Sequence, residues 1–264
     1  MDGRGPAVLL LQGVGLVGEG WRPQVDGLRD RFTLVSPDNR GIGGSTILDG
    51  RLSIDAMAAD ALAIMDALGA ERFHVAGHSM GGVIAQALAL QVPGRVKSLA
   101  LLCTFARGKQ GATLTPAMLV TALRMQIGTR PMRRNAFLEV VMPPEYLRQV
   151  DRAALAETLR PLFGHDLAEQ PPIAMKQLRA MSRFDARGRL ATLGRIPTLV
   201  VSAAGDRIAR PAFGRELAAA IPSARYVEVE AAGHGVTIQR AAEINGLLAG
   251  HFERAEPAAA LLPT

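Results

Sequence analysis

The most constraining feature of the sequence is the run Gly-His-Ser-Met-Gly at residues 77–81, which places a serine between two glycines. This spacing also arises by chance in a glycine-rich chain, so the flanking residues decide its meaning. Residues 72–76 predict a buried strand, and residues 82–90 predict a buried helix that ends before Pro93-Gly94. A strand, a sharp turn and a helix raise a serine hydroxyl above a parallel sheet.

Ser79, at the centre of this pattern, is the candidate nucleophile. A serine hydroxyl is a weak nucleophile unless a nearby base takes its proton during attack. Histidine changes its charge near neutral pH and is therefore the expected base. The second ring nitrogen of that histidine needs an acceptor, which fixes the tautomer and stabilises the charged ring. The chain must therefore bring one histidine and one carboxylate to this serine.

His234 is the candidate base among the five histidines. It lies in Ala-Ala-Gly-His-Gly at residues 231–235, a turn that follows a predicted strand at 226–230 and precedes the last predicted helix. A histidine in such a turn points to the ligand edge of an open α/β sheet.

The other histidines have less favourable positions. His74 falls inside the apolar strand and is predicted to be a core residue. His78 adjoins the serine, but strand geometry is expected to aim its side chain away from Ser79. His165, in a polar loop, and His251, in the last helix, are predicted on the surface.

Asp206 is the candidate acid because it comes directly after an apolar, β-rich run at residues 197–202. Glu228 and Glu230 compete for this role, but they lie within a predicted strand rather than in the loop after one. The loop after the strand at 96–103 could also supply the acid, yet residues 104–113 contain no carboxylate.

The alternation of strands and helices predicts a mostly parallel sheet with right-handed crossovers. Helix 53–69 has the clearest pattern, with Ser53 as its cap and Gly69 as its end. Its apolar stripe consists of Ile54, Met57, Ala58, Ala61, Leu62, Met65 and Leu68. Strands are predicted near 7–12, 32–36, 72–78, 96–103, 197–203 and 224–230, and further helices near 211–220 and 236–254.

Between residues 106 and 187 this alternation gives way to helical pieces. Thr115-Pro116, Pro143-Pro144 and Pro171-Pro172 each predict a helix start. We therefore predict a core formed by residues 1–105 and 188–264 and a helical cap formed by residues 106–187. The cap methionines either line an adaptable pocket or pack the helices on one another: Met118, Met125, Met132, Met142, Met175 and Met181. Solvated surface positions are the default for the cap arginines, which could also hold a substrate carboxylate: Arg124, Arg130, Arg133, Arg134 and Arg179.

On these motifs the chain resembles the α/β-hydrolase fold family, whose members share the order serine, acid, histidine. The resemblance covers about residues 6–105 and 188–254, and residues 8–15, 36–45 and 190–211 are similar to family landmarks. Within the family, the chain looks most like small bacterial esterases, 3-oxoadipate enol-lactone hydrolases and cofactor-free perhydrolases. The resemblance implies that the backbone N–H groups of Met80 and Val14 hold the oxyanion.

Two features depart from the family pattern. Gln12 stands where the family usually has histidine, so the hydrogen bonds around the oxyanion loop must differ. The chain also begins just before its first recognisable strand, so the usual N-terminal strand pair is predicted to be missing and the sheet to be shortened.

The residues and the resemblance together predict a serine hydrolase that cleaves a carboxylic ester or lactone with an apolar part. Attack by Ser79 would form an acyl-enzyme, with His234 as base and Asp206 as its orienting acid. C–C bond hydrolysis, perhydrolysis and acyl transfer use the same triad, and a non-hydrolytic binding or cyclisation protein on this fold is a further alternative. No cofactor and no metal are expected.

Composition narrows the partners and the location. The net charge is +6 and the pI about 10.3, but the 30 basic residues are mostly scattered arginines interleaved with acids, and aromatics are only 4%. This pattern fits a bacterial GC-rich genome and disfavours nucleic-acid binding. No apolar run predicts a membrane span, no signal peptide is recognisable, and the single cysteine, Cys103, is predicted to be a packed small residue. We therefore expect a cytoplasmic protein whose partner is a small molecule, and a homodimer is the assembly considered.

Overall fold

The fold is built on one sheet, in which seven strands lie in the order β1-β3-β2-β4-β5-β6-β7 among the residues described. The structure is a computed structural model that describes residues 1–46, 52–112 and 116–256. The strands are β1 (Asp2–Gly3), β2 (Ala7–Leu11), β3 (Thr33–Val35), β4 (Phe73–His78), β5 (Val96–Leu102), β6 (Thr198–Ala203) and β7 (Ala224–Val229).

All neighbouring strands are parallel except β1, which pairs antiparallel with β3. The parallel sheet and each of the six predicted strands are confirmed, with bounds that differ by one or two residues. Instead of the usual N-terminal strand pair, a single short strand precedes β2 among the described residues. A two-residue antiparallel strand is present, with Asp2 opposite Leu34 and Gly3 opposite Thr33. Its glycine-rich sequence carries no periodic signal, and for this reason the sequence did not reveal it.

Helices connect the strands, and they are listed here in chain order. They are α1 (Arg22–Leu28), α2 (Ile54–Ala67), α3 (Met80–Gln91), α4 (Gly108–Ala112), α5 (Pro116–Arg124), α6 (Arg130–Val141), α7 (Pro144–Leu147), α8 (Arg152–Phe163), α9 (Ala174–Ser182), α10 (Pro211–Ala220), α11 (Val236–Gln239) and α12 (Ala241–Ala255). The predicted last helix is therefore two helices, which are separated at Arg240.

Helix α2 follows its prediction closely. The Ser53 hydroxyl accepts the Ala56 N–H at 3.1 Å, and Gly69 follows the helix with a φ of 68°. Most of the predicted stripe is buried, but Leu68 is 43% exposed because the helix ends at Ala67 and Leu68 leaves the stripe.

The core lies on both faces of the central strands. Every residue of β4 and β6 is buried, as expected for parallel strands covered by helices on each side. His74 and Cys103 belong to this core, as predicted. His251 does not lie on the surface as predicted. It is only 5% exposed, and its Nε2 donates a hydrogen bond to the Leu99 carbonyl of β5.

Helices α4 to α9, which we call the helical segment, lie between β5 and β6 in the chain. The segment has an apolar cluster of its own, formed by Leu138, Val141, Met142, Leu147, Ala156, Leu159, Phe163 and Leu167. Of its predicted helix starts, Thr115 lies outside the described residues, whereas Pro144 begins α7 as expected. The sequence analysis missed α6 and α8, and the division of the chain into core and cap stays a prediction. No described helix is both long and apolar enough to cross a membrane.

Candidate active site

Ser79 lies at the sharp turn between β4 and α3. Its φ of 55° and ψ of −120° are unusual for a residue with a side chain and mark a strained backbone. The turn is fixed by two hydrogen bonds. The Ser79 N–H donates to the Leu102 carbonyl at 2.9 Å, and the Thr104 hydroxyl donates to the Ser79 carbonyl at 2.7 Å. Strand β5 and the residues after it therefore hold the serine in its strained conformation.

The two glycines of the motif are required by close backbone contacts. A Cβ on Gly77 would lie 2.2 Å from the Gly81 carbonyl oxygen, and a Cβ on Gly81 would lie 1.9 Å from the Leu11 carbonyl oxygen. Neither distance is possible for a real side chain. Glycine at both positions lets α3 start directly against β2 and β4.

His234 and Asp206 are in direct contact. His234 Nδ1 donates to Asp206 Oδ2 at 2.7 Å, and both side chains are buried. Asp206 Oδ1 accepts the N–H groups of Ile208 and Ala209 at 2.8 and 2.9 Å, and the Cys103 thiol also hydrogen-bonds to this carboxylate. Burial alone would raise the pKa of Asp206, but the charge of His234 and the hydrogen bonds hold it below its usual value. The carboxylate is therefore ionised next to the imidazole.

His78 supports the backbone of His234. Its Nε2 donates to the His234 carbonyl at 2.8 Å, and the two rings lie 4.8 Å apart. Burial and the neighbouring His234 lower the pKa of His78 to about 3, so the ring is neutral at pH 7. The ring of His78 lines the same cavity as Ser79 and His234, so His78 belongs to the site.

Ser79 and His234 both line one cavity of about 200 Å³, which we call the inner cavity. No hydrogen bond joins these two described side chains. Such bonds are often long in a free enzyme and tighten when substrate is bound. The structure thus brings the predicted serine, histidine and carboxylate together at the carboxyl ends of β4, β6 and β7, as the order of the motifs predicted.

Residues 12–15, which we call the oxyanion loop, lie directly against Ser79. A Cβ on Gly13 would be 3.3 Å from Ser79 Cβ and 3.7 Å from Ser79 Oγ. Gln12, the residue that departs from the family pattern, accepts the Gly13 N–H with its own Oε1 at 2.9 Å. Val14, the predicted donor, lines the inner cavity, and Met80 follows Ser79 at the start of α3.

The described lining of the inner cavity is mostly apolar, and no Asp, Glu, Lys or Arg occurs in it. The helical segment contributes aromatic and aliphatic side chains to it: Met125, Phe137, Val140, Val141, Phe163, Leu178 and Met181. A second, outer cavity of about 850 Å³ shares Met125, Val140, Leu178 and Ile208 with the inner one. The two cavities together offer room for a substrate with two sizeable parts.

The two alternatives for the methionines both apply. Met125 and Met181 line the inner cavity, whereas Met142 packs in the apolar cluster of the helical segment. Met132 and Met175 are exposed, and the side chain of Met118 lies outside the described part of the structure.

None of the arginines named from the sequence lines the inner cavity. Arg124 pairs with Glu139, Arg130 with Glu169, and Arg134 with Asp166. The side chains of Arg124 and Arg130 are exposed, in line with the default expectation. Arg134 is only 24% exposed, and the buried Nε of Arg133 has no hydrogen-bond partner among the described residues, so these two depart from it.

The competing acids are placed elsewhere. Glu228 accepts hydrogen bonds from Arg215 and Tyr226, and Glu230 is exposed beyond the end of β7. Only Asp206, among the acids weighed from the sequence, reaches His234.

One group of side chains has the composition of a metal site but not its chemistry. Ligand atoms of His78, Cys103 and His234 lie within 4.8 Å of one another. Metals bind the thiolate form of cysteine, whereas burial raises the pKa of the Cys103 thiol well above its usual value. The ring nitrogens His78 Nε2 and His234 Nδ1 are already hydrogen-bonded.

Two residues of the site carried no usable signal in the sequence. His165 was predicted on the surface, but it is half-buried and lines the inner cavity. Gln177 of α9 was not singled out, although its Oε1 accepts the Gly15 N–H of the oxyanion loop at 2.8 Å. Both residues belong to the helical segment, whose packing on the sheet cannot be derived from local patterns.

Comparisons with known proteins identify the family of the chain. A family model described as alpha/beta hydrolase fold matches residues 6–241. The RutD protein of Azorhizobium caulinodans, for which carbamate hydrolysis is proposed, is 30% identical over 95% of this chain and 92% of its own. The enol-lactonase of Burkholderia xenovorans LB400 is similar with a TM-score of 0.79 at 29% identity, over 96% of this chain and 94% of that one. A thermophilic esterase of Thermogutta terrifontis is similar with a TM-score of 0.78 at 25% identity, over 97% and 92%.

Proposed function

This chain belongs to the alpha/beta-hydrolase family and is a hydrolase, and on that basis we propose that it cleaves carboxylic esters or lactones with an apolar part. The observation that carries the proposal is the Asp206–His234 hydrogen bond of 2.7 Å beside a strained, cavity-lining Ser79. The mostly apolar lining of the inner cavity, in which no Asp, Glu, Lys or Arg occurs, supports an apolar substrate.

In the proposed reaction, Ser79 Oγ attacks the carbonyl carbon while His234 Nε2 takes the hydroxyl proton. The negative charge on the carbonyl oxygen is held by the N–H groups of Val14 and Met80. His234 then gives its proton to the leaving alcohol, and an ester of Ser79 is left. Water, deprotonated by His234, attacks this acyl-enzyme, and Ser79 regains its proton as the acid leaves.

The size of the two cavities supports a division of the substrate. The inner cavity of about 200 Å³ would hold the smaller, apolar part next to Ser79, and the outer cavity of about 850 Å³ would hold the rest. Asp206 lines the outer cavity together with Arg207 and Arg210. Because side chains of the helical segment line the inner cavity, they would set the preferred length of the substrate part that binds there.

The test is hydrolysis of p-nitrophenyl esters from acetyl to dodecanoyl, and of lactones with the same range of chain lengths, by wild type and Ser79→Ala. We expect turnover that disappears in the variant and an optimum at a short or medium chain. Failure of the wild type to hydrolyse any of these compounds would contradict the proposal.

A carbamate is a second candidate substrate, because the similarity to RutD extends over nearly the whole chain. The same serine attack would form a carbamoyl-enzyme. A p-nitrophenyl carbamate, assayed beside the matched ester, separates the two. Faster turnover of the carbamate would favour this second candidate, whereas slow recovery from a stable carbamoyl-enzyme would favour the ester.

A further inference from the structure

Three consecutive N–H groups of the oxyanion loop have different partners. The Gly13 N–H donates to Gln12 Oε1 at 2.9 Å, and the Gly15 N–H donates to Gln177 Oε1 at 2.8 Å. Between them, the Val14 N–H has no acceptor among the described residues. Two glutamine side chains therefore occupy the neighbouring donors and leave one donor available to a ligand in the inner cavity.

Gln177 reaches the loop from a distant part of the chain. It lies on α9 of the helical segment, its side chain is fully buried, and Pro171 and Ala174 border Gly15 on the same side. Its Nε2 is buried and has no hydrogen-bond partner among the residues that the structure describes. Burying an amide nitrogen without a partner costs free energy of folding. The hydrogen bond to Gly15 therefore comes with a stability cost, and stability alone does not account for a glutamine at position 177.

The contact with Gly15 constrains the backbone next to the free donor. Gly15 has a φ of 74° and is buried, so its N–H has no access to water as a replacement acceptor. The Val14–Gly15 peptide is fixed by Gln177, and the Gln12–Gly13 peptide is fixed by Gln12. Without Gln177 Oε1, the loop would have to turn to satisfy Gly15, and the Val14 N–H would turn with it.

We propose that Gln177 is a positioning residue, which holds the oxyanion loop so that the Val14 N–H points at the developing oxyanion. This inference rests on the proposed serine hydrolysis. It makes the helical segment part of the catalytic apparatus, because correct seating of α9 completes the oxyanion hole. Small errors in the position of such a donor are expected to cost on the order of 10- to 100-fold in rate.

The test uses Gln177→Met, which keeps the length of the side chain and removes the acceptor. We expect kcat on the best ester to fall about 10- to 100-fold with KM within about twofold, because the Val14 N–H bonds the transition state more strongly than the substrate. Affinity for a trifluoromethyl ketone, which forms a tetrahedral oxyanion on serine, should fall by a similar factor. Affinity for the product alcohol, which has no carbonyl or carboxylate oxygen to bind the Val14 N–H, should stay unchanged.

The matched control is Gln110→Met. Gln110 lies on α4 of the same segment, and its Oε1 also accepts a backbone N–H, that of Arg107 at 3.0 Å, but it does not line the inner cavity. We expect wild-type kcat from this variant. Counting reactive serines with a fluorophosphonate corrects each kcat for the folded fraction, so a partly unfolded variant still gives a result.

Equal kcat per reactive serine, or equal ketone affinity, in Gln177→Met and Gln110→Met would overturn the proposal. Loss of affinity for the product alcohol in step with ketone affinity would also overturn it, because it would show a general deformation of the cavity. A wild type that neither hydrolyses esters nor reacts with the fluorophosphonate would show that the proposed function itself is wrong. An active wild type with an unaffected Gln177→Met would refute only the role of Gln177.

Discussion

Asp206, at the edge of the sheet, accepts N–H groups from residues two and three positions further along the chain, and these hydrogen bonds form within one short loop. Phe137 and Leu178, in the helical segment, contribute apolar surface to the inner cavity without any polar contact to the site. The first arrangement is built from local, directional bonds, and the second from packing of distant helices.

This difference indicates how the two regions divide the work. Directional hydrogen bonds hold reacting groups within narrow limits, as catalysis requires. Apolar packing sets the shape and volume of the cavity, and a change of side chain there alters which substrate fits. Two directional bonds cross this division: Gln177 Oε1 accepts the Gly15 N–H, and the Val141 carbonyl of α6 accepts the Gly235 N–H at 2.8 Å.

The largest expected effect comes from substituting Asp206, at the edge of the sheet. In Asp206→Asn the amide oxygen still accepts the Ile208 and Ala209 N–H groups, so the fold should persist. The imidazolium loses its negatively charged partner, and kcat should fall about 10³- to 10⁴-fold. Steady-state kinetics on the best ester measures this loss.

Glu228→Gln is the matched control for that variant, since Glu228 is an acid of the neighbouring strand that does not reach His234. It should keep kcat within about twofold of wild type. A comparable loss in both variants would mean that Asp206 has no special relation to the base.

The second prediction concerns the effect of low pH on stability. As the pH falls, the sheet region should lose stability at a higher pH than the helical segment does. The pKa of His78 lies at about 3 and that of His251 at about 4, both lowered mainly by burial, against about 6.5 in an unfolded chain. At a pH between the folded-state and unfolded-state pKa values, the unfolded state binds more protons than the folded state. Stability therefore falls as the pH drops from about 6.5 towards 4. The free energy of unfolding should be about 3 kcal/mol lower at pH 5 than at pH 7.

The ion pairs of the helical segment respond in a lower window. Arg134 holds the pKa of Asp166 far below its usual value, so that pair loses stability only once the pH falls below about 4. Urea unfolding at pH 7, 6 and 5 tests the difference. His251→Gln, whose amide can donate to the Leu99 carbonyl, should reduce the pH dependence. Equal stability of the wild type at pH 7 and pH 5 would refute the account.

The smallest expected effect is a change of substrate preference through the helical segment. Leu178 borders both cavities, so Leu178→Trp should shift the optimum of an ester series to shorter chains, with about 10-fold slower turnover of the longer ones. Met175→Trp, on the exposed side of the same helix, is the control and should leave the series unaltered. An unchanged optimum in Leu178→Trp would mean that these helices do not select the substrate.

The difference between local hydrogen bonds and packing of distant helices also explains which features could be predicted from the sequence. The Ser79 turn, the Asp206 loop and the His234 turn each follow a strand with a clear apolar pattern, so their place at one edge of the sheet could be predicted. The cap of α2 at Ser53 was predicted for a similar reason, since both signals are local.

What the sequence did not reveal depends on contacts between distant residues. Gln177 lies 162 positions from Gly15, and nothing in the pattern of α9 marks one glutamine as a partner of that loop. Strand alternation was expected to aim His78 away from Ser79, and its hydrogen bond to the His234 carbonyl, 156 positions along the chain, is a contact that no local pattern reveals. His251 sits in a helix with a mixed pattern, and only the packing of α12 on β5 explains its burial.

The central claim is that Ser79 is the nucleophile, and covalent labelling tests it most directly. The wild type and Ser79→Ala are treated with a fluorophosphonate, digested and analysed by mass spectrometry. We predict one added phosphonyl group on the wild-type peptide that contains Ser79, abolished in Ser79→Ala and strongly slowed in His234→Ala. Absence of label on that peptide, or equal labelling of Ser79→Ala at another residue, would contradict the account.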